Sequence, residues 1–365
     1  MIDRKTLTRR AFLASTGLGA LAIACGSGGA GEGGDVSVGP PRAFQMGLSS
    51  LPIDPSEDSY RETFRVAGEN GDLILVQRTP PWSEFRHATG ISDRIESLTH
   101  AEKELAKRYH LKLFLAVDPT EQVDRGRLAG LPPDLRGSNF SDKVVRDAFV
   151  AYARYLALNY KPVYLALGVE VDMIHARLGD AAFRNFQSLY FEAYDAVKEA
   201  SAQTQVFPTF QYENLLGLLT AVGPTLPSLG LLNRFAPKLD RVAVSSYPGF
   251  VYGTVSAMPG EYYKGLTHNG APFLIAATGW SSAPRPGDTG NEGEGEQAAF
   301  AARLLGDVES LGAEAVVWFL GRDPVTQPGE GFAPLAQMGL YRATGEPKGA
   351  LGLWRQTRLR PLKSP

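Results

Sequence analysis

Eight short, nearly continuous apolar runs alternate with longer segments whose apolar residues recur every three or four positions. This pattern predicts an α/β fold, a single (β/α)8 TIM barrel. Strands covered on both faces lose the in-and-out alternation of half-exposed sheets, so they read as almost purely apolar. The competing doubly wound sheet lacks its nucleotide fingerprints: no G-x-G-x-x-G turn follows any of the runs, and G-x-x-x-x-G-K-[ST] is absent.

In chain order the candidate strands are Ala43–Leu48, Leu73–Gln77, Leu111–Val117, Val163–Gly168, Val206–Gln211, Arg241–Ser245, Phe273–Ala277 and Ala315–Leu320. Helical period is clear over Ser97–Tyr109, Asp142–Asn159, Asp180–Ser201 and Glu296–Leu311. With 365 residues, 44% hydrophobic and 21% charged, and a net charge of -2, the composition is that of an ordinary globular protein. That balance implies no polyanion, so nucleic acid is not an expected partner.

The N-terminus reads as an export signal. Thr8-Arg9-Arg10-Ala11-Phe12-Leu13 is a twin-arginine pattern, and the Gly/Ala-rich run Phe12 to Ala24 is too short to span a bilayer comfortably. Leu21-Ala-Ile-Ala-Cys25 resembles the bacterial lipobox, with Ala22 where Leu is more usual. The expected product is exported by the twin-arginine route and held on the extracytoplasmic side of a membrane by a lipid on Cys25. The alternatives are a free buried thiol or ordinary signal-peptide cleavage nearby. No second cysteine exists to form an intrachain disulfide. The expected organisation is thus a signal over 1–25, a flexible Gly/Ser-rich tether over 26–42 and the barrel over 43–365. Gly26-Ser-Gly-Gly-Ala-Gly31 satisfies G-x-G-x-x-G, but it follows a signal peptide rather than a strand and is rejected as a dinucleotide site.

In such a barrel the site lies at the C-terminal ends of the strands. Val163-Tyr-Leu-Ala-Leu-Gly-Val-Glu-Val-Asp172 drives two acids, Glu170 and Asp172, out of a buried strand. Either they face a polar cavity that uses them, or arginines and backbone N–H groups neutralise them. The other strand ends supply Gln77 and Arg78 with Trp82, Asp118, Gln211 with Glu213, Tyr247, Trp280 and Trp318. Carboxylates beside aromatic rings suit sugars, whose C–H faces stack on rings while their hydroxyls bond to polar groups. The five histidines are scattered and no H-E-x-x-H occurs, so neither a metal nor a cofactor is expected. G-x-S-x-G is also absent. The acidic, glycine-rich loop Arg285–Glu296 reads as solvated loop ahead of a lid or calcium loop.

The ring resembles the clan A glycoside hydrolases, retaining (β/α)8 enzymes, and among them the endo-β-1,4-galactanase and β-glucanase types. Four stretches between about Phe44 and Trp354 carry the resemblance. Leu167-Gly-Val-Glu170 is similar to the fourth-strand segment ending Asn-Glu, which implies that Glu170 is the acid/base. Val244-Ser-Ser-Tyr-Pro248 is similar to the segment whose Tyr bonds the nucleophile, implying that role for Tyr247. Pro272-Phe-Leu-Ile-Ala-Ala-Thr-Gly-Trp280 resembles the segment usually ending Glu-Thr-Gly-Trp, and Gly339-Leu-Tyr with Gly345-Glu-Pro-Lys348 and Trp354 resembles the closing stretch. Two positions depart: Ala277 stands where the nucleophile belongs, and Val169 where the Asn belongs.

Retention needs two carboxyl groups about 5 to 5.5 Å apart, and inversion needs about 6.5 to 9.5 Å with water on the opposite face. Ala277 offers no nucleophile. Glu170 and Asp172 would lie roughly 6.6 Å apart on one face of an extended strand, the wrong disposition for inversion. Glu213 and Asp118 are the candidate substitutes. The resemblance therefore implies a β-linked glycan at the mouth, contacted by Arg78, Trp82, Asp118, Asp172, Gln211, Tyr247, Trp280 and Trp318, with hydrolysis lost or rewired. The competing expectation is a non-catalytic surface lipoprotein that keeps only the barrel. Its residues would then be structural: Glu170 paired with Arg78, the tryptophans filling core, and Tyr247 held by packing alone.

Overall fold

A computed structural model describes residues 39–86, 90–122, 125–219, 226–267, 270–283, 292–325 and 335–363. Arg9, Arg10 and Cys25 lie outside the described residues, as do His87, His268 and most of the 285–296 loop. Among the described residues no helix is long and apolar enough to cross a membrane.

The chain forms a (β/α)8-type barrel of parallel strands. Strand β1 (Gln45–Ser49) is followed by α1 (Glu57–Asn70), β2 (Leu73–Arg78), the short α2 (Trp82–Phe85), α3 (Asp93–Arg108) and β3 (Lys112–Val117). Then come α4 (Lys143–Tyr160), β4 (Tyr164–Leu167), α5 (Asp172–Ala200), β5 (Gln205–Phe207), β6 (Thr209–Gln211) and the short α6 (Tyr212–Leu215). The chain continues through β7 (Val242–Ser246), β8 (Phe273–Thr278), α7 (Glu292–Leu311), β9 (Ala315–Trp318) and α8 (Gly349–Leu359). Around the barrel the order is β5-β4-β3-β2-β1-β9-β8-β7-β6. Among the described residues nine strands stand for the expected eight, because Pro208, which has no N–H to donate, splits the fifth. β5 pairs with β4 and β6 with β7, so the covalent link through Pro208 closes the ring.

Side chains alternate between two cores. Leu73, Leu75, Phe114, Ala116, Tyr164, Ala166, Phe207, Ala243, Leu274, Ala276, Ala315 and Val317 fill the lumen. Their neighbours Ile74, Val76, Leu115, Leu165, Val244, Ile275, Val316 and Trp318 face the helices. Phe114, Tyr164 and Phe207 plug the barrel, with ring centroids 5.6 to 5.9 Å apart. Gly47 makes room for this plug, since a Cβ there would meet Leu73 Cδ1 at 2.2 Å.

The helix expected from Asp180 begins earlier, at Asp172, and kinks at Gly179 (φ 80°), which is why the periodic signal started late. Arg42, placed by composition in the tether, belongs to the barrel. It is buried, donates to both carboxylate oxygens of Asp72 at 2.7 Å, and its backbone N–H bonds Pro361 O at 2.9 Å. After β9, Lys348 is buried against Asp323 at 2.6 Å, and Trp354 donates to Asn70 O at 2.8 Å. The closing stretch therefore locks the last helix onto the first.

Candidate active site at the barrel mouth

The mouth is built on a chain of polar side chains over β2, β3 and β4. Gln77 follows Leu73 and Leu75 on the inward face of its strand, and its Nε2 donates to Asp118 Oδ2 at 2.9 Å. Arg125, in the loop after β3, donates through Nη1 to Asp118 Oδ1 at 2.7 Å and through Nη2 to Glu170 Oε2 at 2.6 Å. Arg125 and Asp118 are buried, while the Glu170 side chain is 17% exposed. Burial works against the Arg125 charge, but Asp118 and Glu170 more than offset it and hold the guanidinium above its usual range.

Local backbone geometry aims Glu170. Gly168 has φ +110°, and a Cβ there would meet Phe186 Cζ at 2.5 Å, so the chain can leave β4 along this path only through glycine. Glu170 itself sits in the left-handed region at φ 51°, uncommon for a residue with a side chain. Its N–H donates to Thr209 Oγ1 at 3.0 Å. Val169, at the place of the expected Asn, is buried against the lumen core.

The expected nucleophile position also faces the mouth. Val244 pairs with Ile275 but Ser245 with Ala277, so β8 carries an extra residue, a β-bulge. The bulge lets Ala276 join the lumen core while Ala277 joins a small cluster with Tyr247, Phe319, Leu320 and Met338. Around the ring, β8 lies three steps from β4, by way of the split fifth strand and β7. Tyr247 stacks on Phe250 with centroids 5.6 Å apart, and Phe250 is 44% exposed.

Several expected contacts are elsewhere. Arg78 shares the outward face of β2 with Ile74 and Val76, and it pairs with Glu102 at 2.8 Å; it is neither at the mouth nor the partner of Glu170. Trp82, Trp280 and Trp318 are fully buried and form no platform. Trp82 and Trp318 donate at 2.6 Å to Ala129 O and Met338 O, and Trp280 packs on Phe300 at 5.2 Å. Glu213 is buried behind the wall, where its Oε1 accepts from Ser246 Oγ at 2.6 Å and Tyr262 OH at 2.7 Å. Burial raises its pKa, and with no exposure it offers no base to a sugar at the mouth. Gln211 is buried beside Asp172 and caps α6 through Asn214 N at 3.2 Å. Of the residues sequence reasoning passed over, Arg125 and Thr209 matter most.

Asp172 is structural as well. One oxygen accepts from Gln211 N at 2.7 Å and the other from Asn214 Nδ2 at 2.6 Å. Burial nevertheless pushes its pKa up to about 7. A carboxyl with a raised folded pKa stabilises the protein fully below its unfolded value near 4, and that contribution is lost as pH rises through about 7. Over that window the loss is on the order of 4 kcal/mol. Asp172→Asn is expected to remove this part of the pH slope and to be more stable than the parent at pH 8. Urea unfolding at pH 5 and 8 checks this; parallel slopes in the two proteins would refute it.

No group of three or more His, Cys, Asp or Glu able to hold a metal occurs among the described residues. His175 is partly exposed, with Asp180 at 3.9 Å.

The fold is that of solved (β/α)8 barrels, several of them glycoside hydrolases. A GH5_18 protein from Bifidobacterium longum, solved with Manβ1-4GlcNAc, superposes with a TM-score of 0.63 at 13% identity, covering 88% of this chain and 80% of that one. A GH5_18 protein from Streptomyces cattleya with the same disaccharide gives 0.62 at 17%, covering 89% and 82%. The exo-β-1,4-mannosidase Op5Man5 from an Opitutaceae bacterium gives 0.64 at 14%, covering 87% and 59%. No family model and no curated protein matches the chain. At these identities the likeness is one of fold.

Proposed function

We propose that the protein is a glycoside hydrolase-like barrel that binds a β-linked oligo- or polysaccharide at its mouth and does not cleave it by double displacement. One observation carries this reading. Asp118 and Glu170, on neighbouring strands, share the single guanidinium of Arg125, while the bulged position on β8 is Ala277 in an apolar cluster. A retaining site needs two carboxyl groups with separate duties, one attacking and one protonating. Here both acids at the mouth are tied to one cation on one side. The exposed Phe250, stacked on Tyr247, is the available platform for a sugar face, in place of the buried tryptophans. The disaccharide Manβ1-4GlcNAc held by two of the barrel neighbours makes β-1,4-linked mannosyl oligosaccharides the first probes. In this proposal the chain is exported through Arg9 and Arg10 and held at the membrane by a lipid on Cys25.

A glycan array probed with the full chain tests the reading. Binding to at least one β-linked glycan, weakened tenfold or more by Phe250→Ala, is expected. Absence of binding to every β-linked glycan would leave a scaffold barrel and overturn the proposal.

A further inference from the structure

A cavity of about 300 Å³ lies outside the barrel wall, between β2 and helices α1, α3 and α4. Its floor is the ion pair of Arg78 and Glu102, neither of which takes part in the mouth network. Glu102 is 1% exposed, and both its oxygens are occupied: each accepts from Arg78 Nη2 at 2.8 Å, one also from Tyr60 OH at 2.5 Å and the other from Tyr160 OH at 2.6 Å. Arg78 lies 5.9 Å from the Tyr160 ring centroid, is 21% exposed and lines the cavity.

Arg78, 21% exposed, borders open volume, which spares the pair part of the cost of full desolvation and leaves the guanidinium within reach of a ligand. That volume is at the lower end of the range for small-molecule sites. Glu102 is saturated and Glu57, the other lining acid, is paired with Arg61, so the polar groups left to a ligand are chiefly donors and cations. Two more arginines line the cavity. Arg61 is 39% exposed with its nearest carboxylate at 3.5 Å, and Arg94 is 53% exposed with its nearest at 3.6 Å. Such loose, exposed pairs are worth little and are easily exchanged for a ligand's anion. The remaining wall is mixed: Ile95, Leu98, Leu156 and Tyr155 give it apolar and aromatic surface, Thr79 and Thr99 add hydroxyls, Gln77 closes the end nearest the mouth, and the one further acid, Glu57, is the partner of Arg61.

We infer that this cavity is a second ligand site, centred on Arg78 and Glu102 and not on the acids of the mouth, for a small organic carboxylate with an aromatic or short aliphatic body. The carboxylate faces the arginines and the body lies among the leucine, isoleucine and tyrosine side chains. The guanidinium fork suits a carboxylate, and the volume suits a single ring with a short arm.

Calorimetric titration of the full chain with benzoate and 3-phenylpropionate, against benzyl alcohol and 3-phenylpropanol, tests the inference. The acids are expected to bind with Kd on the order of 0.1 to 1 mM. They are expected to bind at least tenfold tighter than the matched alcohols. Ala101 lines the cavity, so Ala101→Phe fills it without touching Arg78 or Glu102 and is expected to weaken the acids tenfold or more. A double variant, Arg61→Ala with Arg94→Ala, acts on exposed groups alone and is expected to weaken the acids and leave the alcohols unchanged. Phe250→Ala, at the mouth, is expected to have no effect on the acids. No saturable binding of either acid, equal affinity for acids and alcohols, or acid binding untouched by both cavity variants would overturn the inference.

Discussion

Arg125→Met is expected to destabilise the protein by about 3 to 5 kcal/mol at pH 7.5, the usual cost of removing one partner from a buried ionic cluster. The methionine leaves Asp118 and Glu170 without the cation that each meets within 2.7 Å. Urea unfolding followed by circular dichroism reads the loss. A loss below about 1 kcal/mol at pH 7.5 would mean that the cluster is solvated and that Arg125 does not organise the mouth. The variant is also expected to lose glycan binding, because Glu170 is aimed by Arg125 as well as by its own left-handed backbone.

The second large effect is a gain of activity. Ala277→Glu with Val169→Asn is expected to hydrolyse dinitrophenyl β-glycosides at least tenfold faster than the parent. A dinitrophenolate leaves without a proton, so the first step asks only for the missing nucleophile; water then releases the sugar from residue 277 with Glu170 as its base. The bulge at Ala276 and Ala277 turns position 277 toward Tyr247, the residue that the resemblance places beside the nucleophile. The new side chain enters a packed cluster with Phe319 and Met338, so a stability loss of about 1 to 3 kcal/mol is expected with it. A well-folded but inert double variant would show that position 277 is not the nucleophile's place in this barrel.

The barrel was legible because buried parallel strands leave a period-free apolar signature, and even the split fifth strand is marked by Pro208. Inward and outward parity was legible too, and it corrects the reading of the mouth. Gln77 shares the face of Leu73 and Leu75, whereas Arg78 shares that of Ile74 and Val76. Trp318 follows Val316 outward by the same rule. Chemical type alone pointed to Arg78 and Trp318; position on the strand sends both to the outer layer. Ala277 is the opposite case, since simple alternation from Ile275 would have turned it outward and only the bulge returns it to the mouth. Arg125 left no signal, because a loop residue reaches its carboxylates through the folded path of the loop and not through any period. Glu213 and Asp172 were read as free acids because nothing in the sequence shows that Ser246, Tyr262 and Asn214 close over them.

The most direct test of the account is a crystal structure of the wild-type chain with a β-1,4-linked oligosaccharide found on the array. An intact glycan across the strand ends is expected, with a ring on Phe250 and a hydroxyl on Glu170. A glycan cleaved in the crystal, or one seated away from these residues, would contradict it.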